Sequence, residues 1–167
     1  MQHLAAAGCR SVCFVGQPDY STAFSQRYFS YLAAASQLPV ETPDDMLIGR
    51  PDKEMNELIA ELTQRIGARE TLPDAFYCAN DYIAIMLIRA LTTQGISIPE
   101  QVSIIGVDNN PVSALVSPQL CSLDIQCGKQ AHYALRRMTE LLHDKTSEPV
   151  RLLIQPRLIP GASVQHA

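Results

Sequence analysis

The chain has 167 residues, of which 47% are apolar and 18% are charged, and its net charge at pH 7 is -4. This apolar content excludes an intrinsically disordered chain and suits one domain of ordinary size. No basic cluster exceeds the doublet Arg136-Arg137. Binding to phosphate needs a concentrated basic face, so this stretch is not expected to grip nucleic acid by itself.

The five cysteines stand at irregular spacings without a C-x-x-C pair. This pattern predicts neither a zinc site nor a redox motif, and it indicates a reduced, cytoplasmic protein. No apolar run reaches the ~18 residues of a membrane span. Residues 1–8 are too short and too weakly basic for a signal peptide, and they are typical of a helix end closed by Gly8. We therefore expect the chain to be a fragment.

The first part of the chain alternates between strand and helix. A short apolar run at 11–15 predicts a strand, residues 22–38 predict a helix that a proline stops, and 46–48 predict a second strand. Asp52 is expected to cap the next helix. Its apolar positions between 55 and 66 recur at helical intervals, which predicts one buried face.

The same alternation continues to the end of the chain. Residues 75–79 predict a third strand, and Asn80 or Asp81 is expected to cap a helix that is apolar on nearly all sides and therefore buried. Further elements are a strand at 102–107 with a turn after it, a strand at 120–125, a helix at 127–143, and a last strand at 150–159 interrupted at Pro156. Repeated units of this kind predict an α/β fold with a doubly wound parallel sheet and helices on both faces.

Ligands of such sheets bind at the carboxyl ends of the strands. No dinucleotide or phosphate-binding glycine motif, nucleophile elbow or histidine stands after a predicted strand, which argues against an enzyme and against a cofactor or metal. The side chains there are amides, carboxylates and hydroxyls, which suit recognition of a polyhydroxylated or amide-bearing small molecule. The candidate ligand contacts at these positions are Asn80, Asp108 and Thr22, with Gln17 and Asp19 as weaker candidates, and resemblance to a known family adds Arg27 on the helix at 22–38.

Each of these residues also has a purely structural interpretation. Asn80 and Thr22 can cap the helices that they precede, and a cap is compatible with a ligand contact. Asp108 can bond within its own turn, and Arg27 can lie on a solvated helix face. Asp81 is expected to be a cap or a first-turn charge that complements the helix dipole.

Residues 78–81 read C-A-N-D, and 95–108 read G-I-S-I-P-E-Q-V-S-I-I-G-V-D. These two motifs, in this order and at this separation, resemble the signature of the LacI/GalR family of transcriptional regulators. The flanks are similar too, at 3–16, at Arg27 with Tyr31, at 118–123 and at 156–159, so the likeness covers nearly the whole chain. Departures include Ser30 in place of a glycine, Pro51 near the position of a pocket aromatic, and Ala131 in place of a second glycine.

The resemblance implies a periplasmic-binding-protein-like fold of type I. Residues 1–126 and 156–167 would form the C-terminal lobe of an effector-binding module, and 127–155 would be a crossover segment of an absent N-terminal lobe. The DNA-binding head of the family would also be absent. In the family the aspartate that matches Asp108 hydrogen-bonds effector hydroxyls, and the apolar face of 131–142 packs inside the first lobe.

The function implied is small-molecule effector sensing, with a sugar or sugar derivative as effector, by a homodimer that binds operator DNA through the absent head. A solute-binding protein of a sugar transporter shares this fold and is the first alternative. It would need a leader sequence, and five cysteines suit an oxidising compartment poorly. An enzyme on an α/β scaffold is the second alternative, although no nucleophile or general base follows a strand.

Overall fold

A computed structural model describes residues 1–43, 50–143 and 148–165. The helices are α1 (Gln2–Ala6), α2 (Thr22–Ala35), α3 (Met55–Gly67), α4 (Asp81–Thr93) and α5 (Cys127–His143). The strands are β1 (Val12–Val15), β2 (Ala75–Cys78), β3 (Ser103–Val107), β4 (Cys121–Asp124) and β5 (Arg157–Ile159). Short 3₁₀ helices lie at Pro18–Tyr20 and Pro111–Ala114. The strand predicted at 46–48 lies outside the described residues.

The five strands form one sheet in the order β1-β2-β3-β4-β5. The first four are parallel, as predicted, and β5 pairs antiparallel to β4. The prediction of a strand over 150–159 is wrong in its extent, because only Arg157–Ile159 pair with the sheet. Pro156 has no N–H to donate to a ladder, so pairing begins directly after it.

The direction of winding reverses at β1. After α2 the chain returns beside β1, on the side opposite β2, where the amide of Val12 donates to the carbonyl oxygen of Glu41 over 3.0 Å. It then continues through α3 to β2, on the other side of β1. Because crossovers between parallel strands are right-handed, this reversal places α2 on one face and α3 and α4 on the other. The reversal point is where open α/β sheets bind ligands.

The core surrounds the central strands. Every residue of β1, β2 and β3 is buried, as expected for a parallel sheet covered on both faces. Helix α4 contributes eight buried residues and packs against α3, whose buried face consists of Leu58, Leu62 and Ile66. The predicted burial of α4 is thus confirmed, as is the helical stripe of α3.

Two helix boundaries differ from the prediction. Helix α2 ends at Ala35, because the amides of Gln37 and Leu38 donate three residues back, in tighter turns, before the proline. Asp52 does not cap α3: the residue before that helix is Glu54, which makes no side-chain capping bond. The Asp52 carboxylate instead pairs with Arg50 at 2.8 Å, since a cation only two residues away competes with the helix amides.

Helix α5 has the predicted bounds, but none of its residues is buried. Its large apolar side chains are exposed, namely Tyr133, Leu135, Met138, Leu141 and Leu142. Cys127, its first residue, is exposed as well, whereas the other four cysteines are buried. Among the described residues, no helix combines the length and the apolar character that crossing a membrane requires.

Candidate functional site

The carboxyl ends of β1 and β2 lie side by side at the reversal point. Val15 pairs with Cys78 in the parallel ladder, and each strand then leads into its loop. A β-carbon added at Gly16 would stand 2.5 Å from that of Ala79, so only glycine permits this approach. The loops after β1, β2 and β3 therefore begin at one edge of the sheet, which we call the carboxyl edge.

Arg27 spans this edge from α2. One guanidinium nitrogen, Nη1, donates to the carbonyl oxygen of Ala79 over 2.6 Å, and Nη2 donates to Oδ1 of Asp108 over 2.7 Å. Its side chain is only 19% exposed. The alternative of a solvated arginine is thus excluded, and Arg27 joins the ends of β2 and β3.

Asp108 follows β3 and has a backbone φ of 119°, a conformation that residues other than glycine seldom adopt. Burial raises the pKa of its carboxyl, and the neighbouring charge of Arg27 partly counteracts that rise. Within the described part of the chain, no donor reaches its second oxygen, Oδ2. One oxygen is therefore engaged with Arg27, and the other is available to accept a hydrogen bond.

Asn80 is the N-cap of α4, as predicted, and its side-chain oxygen accepts a hydrogen bond from the amide of Ile83 over 2.9 Å. That bond leaves the side-chain NH₂ group as a donor. No acceptor among the described residues engages it. The preceding residue is Ala79, whose carbonyl Arg27 binds, so Asn80 adjoins the Arg27–Asp108 pair.

Thr22 does not have the predicted capping role. Ser21 caps α2 by accepting a hydrogen bond from the amide of Phe24 over 3.3 Å, and Thr22 is the exposed first residue of the helix. In the described structure no hydrogen bond links Thr22 to Arg27, Asn80 or Asp108. The prediction erred by one residue because serine and threonine, both good caps, are adjacent here.

The loop after β1 carries the two weaker candidates, Gln17 and Asp19. Asp19 lies in the short 3₁₀ helix and is exposed. Arg50 donates two hydrogen bonds to Asp52, which raise the pKa of Arg50, and the negative charge of Asp19 adds to that rise. Like Arg27, Arg50 is already paired with a carboxylate.

A buried polar cluster lies beneath the loop that follows β3. The carboxylate of Asp81, 1% exposed, accepts from the amide of Asn110 over 2.7 Å, from the hydroxyl of Ser113 over 2.7 Å and from the hydroxyl of Ser122 over 2.6 Å. Ser122 in turn accepts from the amide of Asn109 over 3.0 Å. Asp81 lies in the first turn of α4, as expected, but these tertiary contacts are not evident in the sequence.

One sequence signal could have revealed this cluster. Gly106 interrupts the apolar run of β3, and an isolated glycine in a strand often marks a close approach by another group. A β-carbon there would stand 2.2 Å from Oδ1 of Asp81. The glycine leaves the space that the buried carboxylate occupies.

The combined edge offers a donor from Asn80, an acceptor from Asp108 and the remaining N–H groups of Arg27. Because a hydroxyl group both donates and accepts, this set is complementary to a polyhydroxylated molecule. The pairing of Arg27 with Asp108 makes their combined charge zero. In the part of the chain that the structure describes, no group of three or more His, Cys, Asp or Glu side chains could hold a metal ion.

The sheet, its reversal and the polar carboxyl edge are those of a periplasmic-binding-protein-like domain. The model of that family, described as a periplasmic binding protein-like domain, matches residues 1–164, and the chain belongs to it. Within that class, the chain is part of a LacI-type effector-binding domain, so the resemblance predicted from the sequence is confirmed.

The curated relatives include transcriptional repressors. The HTH-type transcriptional repressor PurR of Pasteurella multocida is 27% identical over 165 residues, which is 98% of this chain and 48% of that protein. PurR of Vibrio parahaemolyticus is 30% identical over 131 residues, which is 78% of this chain and 38% of that protein. The chain thus spans about half the length of the first curated relatives it matches.

Solved structures agree on the fold. A complex of the transcriptional regulator CelR with cellobiose is 23% identical, with a TM-score of 0.82 over 97% of this chain and 49% of that one. The lac repressor dimer bound to operator and the anti-inducer ONPF is 19% identical, with a TM-score of 0.83 over 99% of this chain and 56% of that one. A LacI family regulator from Enterococcus faecalis with bound ribose is 21% identical, with a TM-score of 0.81 over 98% of this chain and 57% of that one.

Proposed function

We propose that this chain senses an uncharged, polyhydroxylated effector, a sugar or sugar derivative, within a LacI-type transcriptional regulator. The observation that carries the proposal is the pairing of Arg27 with Asp108 beside Asn80 at the carboxyl edge. The charge of Arg27 is already compensated by Asp108, which favours an uncharged effector over an anionic one. An uncharged ligand does not have to displace this pair.

The contacts that we assign follow from the groups left available. Oδ2 of Asp108 accepts from one hydroxyl of the effector, and the NH₂ group of Asn80 donates to another. Arg27 donates from the N–H groups that do not face Ala79 or Asp108. Thr22 is retained as a peripheral contact through its exposed hydroxyl. Two of the related regulators have been solved with cellobiose and with ribose, which supports this class of effector.

The effector would bind between two lobes. Residues 1–126 and 156–167 form the C-terminal lobe, and 127–155 cross over to a second lobe. The exposure of α5 supports this division, because none of its residues is buried and its large apolar side chains are exposed in the described structure. The side-chain amide of Gln126 donates to the carbonyl of Gln155, so the outgoing and returning segments adjoin at the crossing.

Control of transcription would follow from lobe closure. An effector that binds the closed form more tightly shifts the population toward it, and the shift changes the affinity of a DNA-binding head for its operator. A homodimer would match a palindromic operator, as in the related repressor solved as a dimer on operator DNA. A regulator of this kind works in the cytoplasm.

The experiment is a thermal-shift screen of the full-length protein against ribose, cellobiose, other sugars, sugar phosphates, polyols and nucleosides. A ligand at 100 times its Kd stabilises by about 2.7 kcal/mol, which raises Tm visibly. We expect an uncharged sugar to raise Tm in the wild type. Asp108→Asn, which keeps the size but removes the charge, should lose that rise.

Thr22→Ala is the control, because its exposed hydroxyl is a peripheral contact and its loss should reduce the rise far less. Protection by sugar phosphates alone would contradict the uncharged effector. Protection by a sugar that is equal in wild type and Asp108→Asn would contradict the site. A nucleoside that raises Tm would keep the site but change the class of effector.

A further inference from the structure

Three consecutive backbone amides of the loop after β3, residues 108–110, are each held by a separate acceptor. The amide of Asp108 donates to the carbonyl of Leu123 over 2.9 Å, that of Asn109 to the hydroxyl of Ser122, and that of Asn110 to the carboxylate of Asp81. The latter two acceptors are joined, because the Ser122 hydroxyl donates to Asp81. The loop is thus fixed residue by residue.

The backbone of this loop needs such support. Asp108 and Asn109 both have positive φ values, 119° and 55°, and such conformations persist in L-residues only where the surroundings impose them. The direction of the Asp108 side chain depends on this backbone. Without the hydrogen bonds to Leu123, Ser122 and Asp81, the Asp108 carboxylate would be free to turn away from Arg27.

We propose that Asp81 and Ser122 are positioning residues that set the location of the Asp108 carboxylate and thereby the affinity for the effector. This inference rests on the proposed function. Asp81 also connects the two halves of the site, because it directly follows Asn80. Asp81, the neighbour of the hydrogen-bond donor Asn80, therefore holds the loop that carries the hydrogen-bond acceptor Asp108.

The chemistry of the cluster supports a positioning role beyond packing. Burying a carboxylate is costly unless it is hydrogen-bonded, and an apolar side chain would fill this space at lower cost. A carboxylate, however, can accept from several donors at once, and Asp81 accepts from three. The three hydrogen bonds offset the cost of burying the Asp81 carboxylate. They also connect the loop, β4 and the start of α4 to one another.

Two buried serines make a matched pair for the test. Ser113 and Ser122 are 2% and 0% exposed, and each donates its hydroxyl to Asp81. Only Ser122 also accepts from the loop amide of Asn109. Ser113→Ala and Ser122→Ala should therefore lower Tm to a similar degree, whereas only Ser122→Ala should release the loop. A nonspecific structural role would affect both variants equally.

The measurement uses the full-length protein without effector. By NMR, amide exchange at Asn109 should become about five- to tenfold faster in Ser122→Ala, as expected for one lost hydrogen bond, and stay within about twofold in Ser113→Ala. The pKa of Asp108, read from its carboxyl carbon, should fall toward its ordinary value only in Ser122→Ala, since the released carboxylate gains water. Ser122→Cys, nearly equal in size, replaces the alanine variant if that variant does not fold.

Unchanged exchange and titration in Ser122→Ala, or equal changes in both variants, would overturn the positioning role. These readouts need no effector, so they are separate from the test of the proposed function. If the loop is released as described but no sugar protects the wild type, the effector assignment fails and the positioning role stands. If a sugar protects the wild type and Ser122→Ala equally, the effector assignment stands and the positioning role fails.

Discussion

Helices α4 and α5 are both apolar enough to be recognised from the sequence, yet they have opposite environments. Helix α4 connects β2 to β3, packs against both strands and has eight buried residues. Its N-terminus adjoins the polar carboxyl edge. Helix α5 has no buried residue, and its large apolar side chains are exposed. The comparison shows that helical periodicity identifies an apolar face that can pack against another surface, but it does not identify that surface.

The largest expected difference between the two helices is in the cost of truncating a leucine. Leu87 in α4 is completely buried, so Leu87→Ala should lower the free energy of unfolding by about 2–5 kcal/mol. Leu135 in α5 is 64% exposed, and Leu135→Ala should change it by no more than about 0.5 kcal/mol in this chain. Urea unfolding of the 167-residue chain measures both.

The same two variants would also test the placement of α5. If α5 completes another lobe, Leu135→Ala should become destabilising in the full-length protein while Leu87→Ala keeps its effect. A cost for Leu135→Ala that is equally small in both lengths would contradict the crossover.

Removing the N-cap of α4 should have a smaller effect on the free energy of unfolding, about 1 kcal/mol. Asn80→Ala removes the cap of the helix and should lower the free energy of unfolding by about that amount. Asn80→Ser keeps a capping oxygen and should recover most of the stability, but it lacks the NH₂ donor. A protecting sugar should therefore bind weakly to both variants. Recovery of binding together with stability in Asn80→Ser would show that Asn80 only caps the helix.

The smallest effect concerns two carboxyl groups that both lie beside arginines. Burial raises the pKa of Asp108 above 3.8, whereas hydrogen bonds from Arg137 and Arg136 lower the pKa of the exposed Glu140 in α5 below 4.5. NMR titration should give midpoints displaced in these opposite directions. Displacement of both in the same direction would contradict the contrast in their environments.

The two groups also predict opposite dependences of stability on pH. Asp108 binds its proton more tightly when folded, so stability declines as the pH rises from about 3.8 through the raised pKa. Glu140 binds its proton less tightly when folded, so its stabilising contribution is present above pH 4.5 and is lost as the pH falls through the lowered pKa. Asp108→Asn and Glu140→Gln, each measured across about pH 3–7, should remove one dependence each.

Local patterns were sufficient for the elements that a short stretch of sequence determines. The bounds of α5 and the burial of α4 could be predicted because period and composition are local properties. The end of α2 and the extent of β5 could not be predicted from local patterns. A proline marks a position that a helix or strand cannot include, but the hydrogen bonds of that element can end several residues away. The antiparallel direction of β5 depends on the path of the chain through 127–155, which no local pattern records.

The site could be predicted only in part, for a related reason. The motif around Asn80 and the position of Asp108 after a buried strand mark the carboxyl edge, and Arg27 was found by family resemblance. The Arg27–Asp108 contact joins residues 81 positions apart, and the bond from Ser122 to Asp81 joins residues 41 apart. Such contacts exist only once the sheet has formed, which is why Asp81 read alone resembles an ordinary first-turn charge.

The distribution of the cysteines gives this protein a ready-made attachment point for a fluorophore. Cys9, Cys13, Cys78 and Cys121 are buried, and Cys127 is exposed where the chain leaves β4 and enters α5. Among the cysteines of this chain, Cys127 is therefore the one with which a maleimide dye should chiefly react. A dye at this position adjoins the crossing between the proposed lobes, so its emission can follow their opening and closing in real time.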